Sequence, residues 1–241
     1  MEPRVLESIR ALLASTGAEL IVGGPHLDYQ DGIRPRYFNS AFHVTRDGIA
    51  GRYDKSHLLP FGEYFPLKMI EFLRRRFERV RTFTAGEGAT LLDTRAGKAA
   101  VVICFEAVFP EIVREQMARG AQILVNLSND AWLGSGAGPE QHASMVVLRA
   151  IENRTWLVRA TTTGVSMIVD PHGRTGARAA TQSAEVLDAT IASLRVATPY
   201  EHLGDAFAYA CVAIAVVSLV LPGGRQERGL GFHRASPLGL L

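Results

Sequence analysis

Apolar positions recur first at helical and then at strand spacing, and the two patterns alternate to about residue 190. Val5, Ile9, Leu12 and Leu13 follow the 3.6-residue period, with Gly17 placed to stop a helix. Residues 19–23 form an apolar run that reads as a buried strand. Residues 40–45 and 49–53 flank Arg46-Asp47-Gly48, a hairpin signal that brings Lys55 out at a strand end. Residues 67–80 mix Ile70, Leu73 and Phe77 with Arg74, Arg75, Arg76 and Arg79. That pattern predicts a basic amphipathic helix, the alternative being a solvated charged face. Further strands are expected at 99–103, 122–126, 156–160 and 165–170, with a Pro171-His172-Gly173 turn after the last of these. Helices are expected at 110–119 and 139–153, each with a proline in its first turn, and Gly120 closes the first. A last strand is expected at 185–191. Alternating strands and helices predict an α/β domain.

The pattern then changes. Residues 206–221 carry no charge and no polar face. About 16 residues is short for a membrane span, which needs roughly 17–25; Leu203 and Gly204 could lengthen it. A buried core helix is the competing reading. The terminal position of the run and the arginines behind it, Arg225, Arg228 and Arg234, favour a transmembrane helix. The expected organisation is a domain at 1–202, a span at 203–222 and a cytoplasmic tail at 223–241. The N-terminal residues contain no apolar signal-peptide core.

Composition narrows the function classes. The apolar fraction of 47% supports a substantial core. A net charge of +2 gives no reason to expect nucleic acid as a partner. The two cysteines, Cys104 and Cys211, lie in unlike contexts, so no disulfide framework is expected. No His/Cys cluster has metal-ligand spacing and no G-x-S-x-G is present.

Candidate chemistry is concentrated in two segments. The first is Tyr53-Asp54-Lys55-Ser56-His57-Leu58-Leu59-Pro60-Phe61-Gly62-Glu63-Tyr64-Phe65-Pro66. The second is Val101-Val102-Ile103-Cys104-Phe105-Glu106, followed by Phe109-Pro110-Glu111. A cysteine nucleophile needs a nearby cation to favour the thiolate and to stabilise the oxyanion formed on attack. Taken alone, Cys104 would be a buried small hydrophobe and Lys55 a solvated lysine. The Y-x-K-x-H-L segment with a strand-end cysteine resembles the nitrilase superfamily, and P-F-G-E-Y-x-P resembles its apolipoprotein N-acyltransferase branch.

The resemblance implies a four-layer α-β-β-α sandwich, N-terminally truncated here. It implies Cys104 as nucleophile, Lys55 as oxyanion-stabilising cation and Glu63 as a second carboxylate that orients the lysine or the incoming amine. Glu106 is expected to be structural or to support the site from behind, and His57 belongs to the same match. Asn129, Trp132 and His142 lie in the segment that shapes the pocket, and Phe105 stands where tyrosine is common. The segments from Arg149 to Asn153 and from Arg159 to Gly164 follow the same family pattern. The family's general-base glutamate belongs to a W-P-E-x-A segment. Trp132 and Trp156 are not followed by Pro-Glu, and Glu2 and Glu7 are too close to the first helix. The chain is therefore expected to be the C-terminal part of a larger enzyme, not competent by itself.

The implied reaction moves a fatty acyl group from a phospholipid donor to the amine of a diacylglyceryl-cysteine lipoprotein, without a cofactor. The implied place is the bacterial inner membrane, with the domain outside the cytoplasm. A soluble amidase of the same superfamily and an inactive scaffold are the rivals.

Overall fold

A computed structural model describes residues 3–29, 35–64, 66 and 82–220. By its internal contacts the chain forms two units, residues 1–204 and residues 205–241.

In the first unit, helix α1 (Pro3–Thr16) presents Leu6, Ile9 and Leu13 to Phe42, Val44, Leu20 and Val22. It ends as the spacing predicts: Gly17 takes a positive φ of 69° and its N–H donates to the Leu13 carbonyl at 2.9 Å. Three antiparallel strands follow in the order β1 (Leu20–Asp28), β2 (Arg36–Thr45) and β3 (Gly48–Asp54). Side chains of successive strand residues point to opposite faces. Hence Phe42 and Val44 face α1, whereas Ala41 and Tyr53 face the second sheet.

That second sheet has six strands in sequence order: β4 (Leu92–Thr94), β5 (Gly97–Ile103), β6 (Ile123–Ser128), β7 (Trp156–Thr161), β8 (Met167–Val169) and β9 (Thr175–Arg178). The pairs β5–β6 and β6–β7 are parallel and the others antiparallel. Ala99, Val101, Ile103, Ile123 and Val125 pack toward the first sheet. Ala100, Val102, Leu124 and Leu157 pack the other way, against helices α2 (Pro110–Ala118) and α3 (Gly138–Asn153). Three cores thus separate four layers in the order α-β-β-α. Each Val or Leu buried in them contributes about 1.5–3 kcal/mol.

Several expectations change. The strand expected at 19–23 continues to Asp28 and is half-exposed rather than buried. Strands β4 and β9 were not expected. No strand forms at 185–191, because β9 already occupies the free edge of β8. That segment instead runs as an unpaired strap, with Ile191 in the inter-sheet core and the Leu194 N–H bonded to the Gln122 carbonyl at 3.2 Å. The basic helix expected at 67–80 lies outside the described residues. Short helix α4 (Pro199–Leu203) ends at Gly204, whose φ is 51°, so Leu203 and Gly204 do not prolong the apolar helix after them.

The second unit contains α5 (Ala206–Val220), with no charged residue. Among the described residues no helix is long and apolar enough to cross a membrane. At 1.5 Å per residue the described part of α5 extends about 22 Å, against a hydrocarbon core of about 30 Å.

Candidate active site

Lys55 follows β3 directly, and Cys104 follows β5 directly. The facing of the two sheets brings these strand ends to one cavity of about 680 Å³, which Glu63 also lines. The rest of the wall is mainly apolar: Ile21, Val22, Leu59, Ile103, Leu127 and Trp132 are part of it.

Lys55 is 1% exposed, and its Nζ donates to Glu63 Oε2 at 2.6 Å. The carboxylate is fixed on its other side. Oε2 accepts the Leu59 N–H at 2.8 Å and Oε1 accepts from Asn39 Nδ2 at 2.8 Å. The ammonium is therefore held at the cavity wall by a partner that is itself immobilised. Cys104 opens a 3-10 turn (Cys104–Val108) with φ of 55°. A non-glycine residue in the left-handed region stores strain of order 1–3 kcal/mol, and such strain clusters at functional positions.

Glu106 explains how two distant segments keep their alignment. It is completely buried. Its Oε1 accepts from the Tyr53 hydroxyl at 2.9 Å, the Ser56 N–H at 2.8 Å, the Ser56 hydroxyl at 3.1 Å and the His57 N–H at 2.9 Å. Its Oε2 accepts the Ile103 N–H at 2.8 Å. One carboxylate thus ties the residues just after Lys55 to the residue just before Cys104. Burial first, then the Glu106 charge, pushes the Tyr53 phenol well above its ordinary pKa, so it stays a donor.

A second charged group lies on the helix side of the six-stranded sheet. Arg159 on β7 donates through Nη2 to Asp130 Oδ2 at 2.7 Å, through Nε to the Val165 carbonyl at 3.1 Å, and through Nη1 to Asn126 Oδ1. Asp130 Oδ1 also accepts from Ser128 at 2.6 Å and pairs with His142 Nδ1 at 3.1 Å. Burial raises the Asp130 pKa. Hydrogen bonds from His142 and Ser128 and the Arg159 charge outweigh that and hold it below the ordinary value. Gly164 closes over the pair: a Cβ there would lie 2.1 Å from Asp130 Oδ2.

Of the residues expected at the site, Cys104, Lys55, Glu63, Asn129 and Trp132 line the same cavity. The other three do not. Glu106 is sealed behind the turn. The His57 ring packs on Phe109 at 4.4 Å and lines a separate cavity of about 390 Å³. His142 is buried against Asp130 and Arg159. Asn39, Asp130 and Arg159 were not expected as site residues. Arg159 shares the inward parity of Leu157 on β7, and a charge at an inward strand position was the available signal. Among the described residues no group of His, Cys, Asp and Glu is arranged to hold a metal.

The sequence model of the carbon-nitrogen hydrolase family matches residues 2–200. The chain belongs to this family. Among curated relatives, the apolipoprotein N-acyltransferase of Geobacter metallireducens is 39% identical over 228 residues, covering 94% of this chain and 44% of that protein. The apolipoprotein N-acyltransferase of Nostoc sp. is 46% identical over 142 residues, covering 58% of this chain and 28% of that protein. The chain therefore spans less than half the length of these relatives. Among solved structures, the Caenorhabditis elegans NitFhit protein matches with a TM-score of 0.57 and 27% identity, over 75% of this chain and 44% of that one. Nit3 of Saccharomyces cerevisiae, a member of the nitrilase superfamily, matches with a TM-score of 0.57 at 22% identity, over 75% of this chain and 62% of that one. At that identity the likeness to Nit3 shows the fold alone. The nitrilase-like α/β fold expected from the motifs is thereby shown, and the curated relatives carry the expected family name.

Proposed function

We propose that this chain forms the cysteine-lysine centre of an acyltransferase. The enzyme moves a fatty acyl group from a phospholipid to the N-terminal amine of a diacylglyceryl-cysteine lipoprotein. The observation that carries the proposal is the convergence of Cys104, Lys55 and Glu63 on one largely apolar cavity.

In the first half-reaction the Cys104 thiolate attacks the ester carbonyl of the phospholipid, and the carbonyl electron pair moves onto oxygen. The Lys55 ammonium stabilises that oxyanion, with Glu63 orienting it. Collapse breaks the C–O bond, and the lysophospholipid leaves as an alcohol after taking a proton. In the second half-reaction the lipoprotein amine attacks the thioester, the thiolate departs and the amine loses a proton. Cys104, Lys55 and Glu63 are the titratable groups on the described cavity wall. Trp132, Leu59, Ile21 and Val22 suit an acyl chain, and Asn129 lies beside them. No metal or cofactor takes part in this scheme.

The lipid donor requires a site beside a bilayer. Residues 1–202 are the acyl-transferring domain in this reading, and the apolar segment within 203–222 is its membrane span. The tail at 223–241, with its arginines, is cytoplasmic, which puts the domain on the outer face of the bacterial inner membrane. The uncharged α5 and the arginines that follow it support this orientation.

The test is to join the chain to the part of the Geobacter metallireducens relative that it does not cover, incubate the product with phosphatidylethanolamine vesicles and map adducts by mass spectrometry. A hydroxylamine-labile acyl adduct on Cys104, absent in Cys104→Ser, supports the reading. Hydrolysis of simple amides without a lipid adduct overturns it in favour of a soluble-type amidase. The absence of both activities overturns it in favour of a scaffold.

A further inference from the structure

Arg159 has no exposed side-chain surface, yet it stands in a strand one position from exposed Ala160. Its partners form a chain that leads to the nucleophile. Nη1 donates to Asn126 Oδ1, and Asn126 Nδ2 donates to the Val102 carbonyl at 3.1 Å. Val102 lies on β5, two residues before Cys104, and the register aligns Val102, Asn126 and Arg159 across three strands. A buried ion pair adds little net stability compared with apolar residues of the same volume. The Arg159–Asp130 pair is thus poorly explained by stability alone. Cys104, meanwhile, keeps a left-handed backbone that its surroundings must enforce.

We propose that Arg159 is a positioning residue for Cys104: a sealed cation behind the sheet that fixes the strand entering the nucleophile turn through Asn126 and stabilises negative charge on the Cys104 sulfur. The proposal rests on Cys104 being the nucleophile. Burial lowers the Arg159 guanidinium from its ordinary pKa, while the Asp130 charge, and any negative charge at Cys104, act in the opposite direction. The other charged or titratable groups around the turn are Lys55 and Glu63 on the cavity wall, Glu106 within the turn with the Tyr53 hydroxyl on it, His57 against Phe109, and Asp130 and His142 beside Arg159. Arg149, at the far end of the turn, donates to the Val108 carbonyl and pairs with Glu152. Among these, Lys55 lines the same cavity as Cys104, while Arg159 lies on the helix side of the sheet and reaches β5 through Asn126.

The experiment measures alkylation of Cys104 by iodoacetamide between pH 5 and 10, in the full chain carrying Cys211→Ala, with thermal melting recorded alongside. Arg159→Met should move the alkylation profile about one pH unit upward, a tenfold slower reaction on the acid side of the transition. Arg159→Lys keeps the charge and loses the fork, so its profile should stay within about threefold of the parent. Asp130→Asn leaves the cation uncompensated and should move the profile to lower pH. This opposite sign keeps the proposal testable if Arg159→Met does not fold. A folded Arg159→Met with an unchanged profile overturns the proposal and leaves Arg159 a purely structural residue; so does an upward shift in Asp130→Asn. A parent chain whose Cys104 resists alkylation across the range overturns the nucleophile reading itself, and this proposal falls with it.

Discussion

Two cation-carboxylate pairs lie on opposite sides of the six-stranded sheet, one in the loop after β3 and one beneath its helix-covered face, and they differ in access. Lys55–Glu63 lies on the cavity wall, where Glu63 is partly exposed and a substrate can approach. Arg159–Asp130 lies under α3 with neither side chain exposed. In the open pair, each Glu63 oxygen has another donor, so the lysine can turn toward an oxyanion without stranding its partner. In the sealed pair, removing either member strands a buried charge, which costs about 3–5 kcal/mol. The open pair is thus built to respond to chemistry and the sealed pair to hold geometry. Glu106 sits between them and couples the open side to the nucleophile turn.

The largest effects should fall on the open side, in activity rather than stability. Cys104→Ala should abolish acyl-adduct formation while circular dichroism and melting stay near the parent. Lys55→Ala should slow adduct formation by about 10²–10³-fold, the usual loss for one oxyanion donor. Lys55→Arg should recover only part of it, because a planar guanidinium carries its charge differently. Rates measured with a fixed vesicle concentration check both. Equal rates in parent and Lys55→Ala would make the lysine a structural residue and erase the contrast between the two pairs.

Next comes the coupler. Glu106→Gln keeps one acceptor oxygen but points an amide N–H₂ at donors, so at least one buried hydrogen bond to a charged group is lost. The expected cost is about 1.5–3 kcal/mol, read as a lower urea midpoint. Because Glu106 aligns Lys55 with Cys104, adduct formation should fall as well, even under conditions where the variant is fully folded. A variant that loses stability but reacts at the parental rate would show that the staple holds the fold without aligning the site.

The two faces also differed in legibility. The open side was visible in the sequence because its chemistry is local. Lys55 and Glu63 share one loop, and Cys104 closes an apolar strand, so contiguous motifs announce them. The sealed side is assembled by strand register: Asn126 lies on β6, Asp130 in the loop after it, His142 on α3 and Arg159 on β7, and no spacing along the chain reveals that β6 and β7 set Asn126 beside Arg159. Tertiary context likewise decided the strands. Residues 185–191 carry strand-forming side chains but take no sheet edge, and Val186 ends 96% exposed. The polar Thr175–Arg178 segment, with a glycine inside it, is a strand because β8 offers one. Periodicity reports which faces a segment could bury, not which partner is still unpaired.

The smallest expected effect concerns the sealed pair and acid. In the folded chain the Asp130 carboxyl is held below its ordinary pKa: burial opposes this, but His142, Ser128 and Arg159 together prevail. In the unfolded chain it titrates near about 3.9. Above that value both states are ionised, and the stabilisation is fully present. As pH falls below it, the unfolded state takes up a proton that the folded state refuses, and stability is lost down to the folded pKa. One group changes stability by at most about 1.4 kcal/mol per pH unit. Urea midpoints compared at pH 7 and pH 3.5 should therefore fall in the parent. The fall should be shallower in Asp130→Asn, whose lower starting stability no longer depends on this proton. Glu63, on the open face, serves as the control, and Glu63→Gln should leave the Asp130 contribution to that acid loss in place. Identical acid losses in the parent and Asp130→Asn would mean that the sealed pair does not hold its carboxylate as the geometry implies.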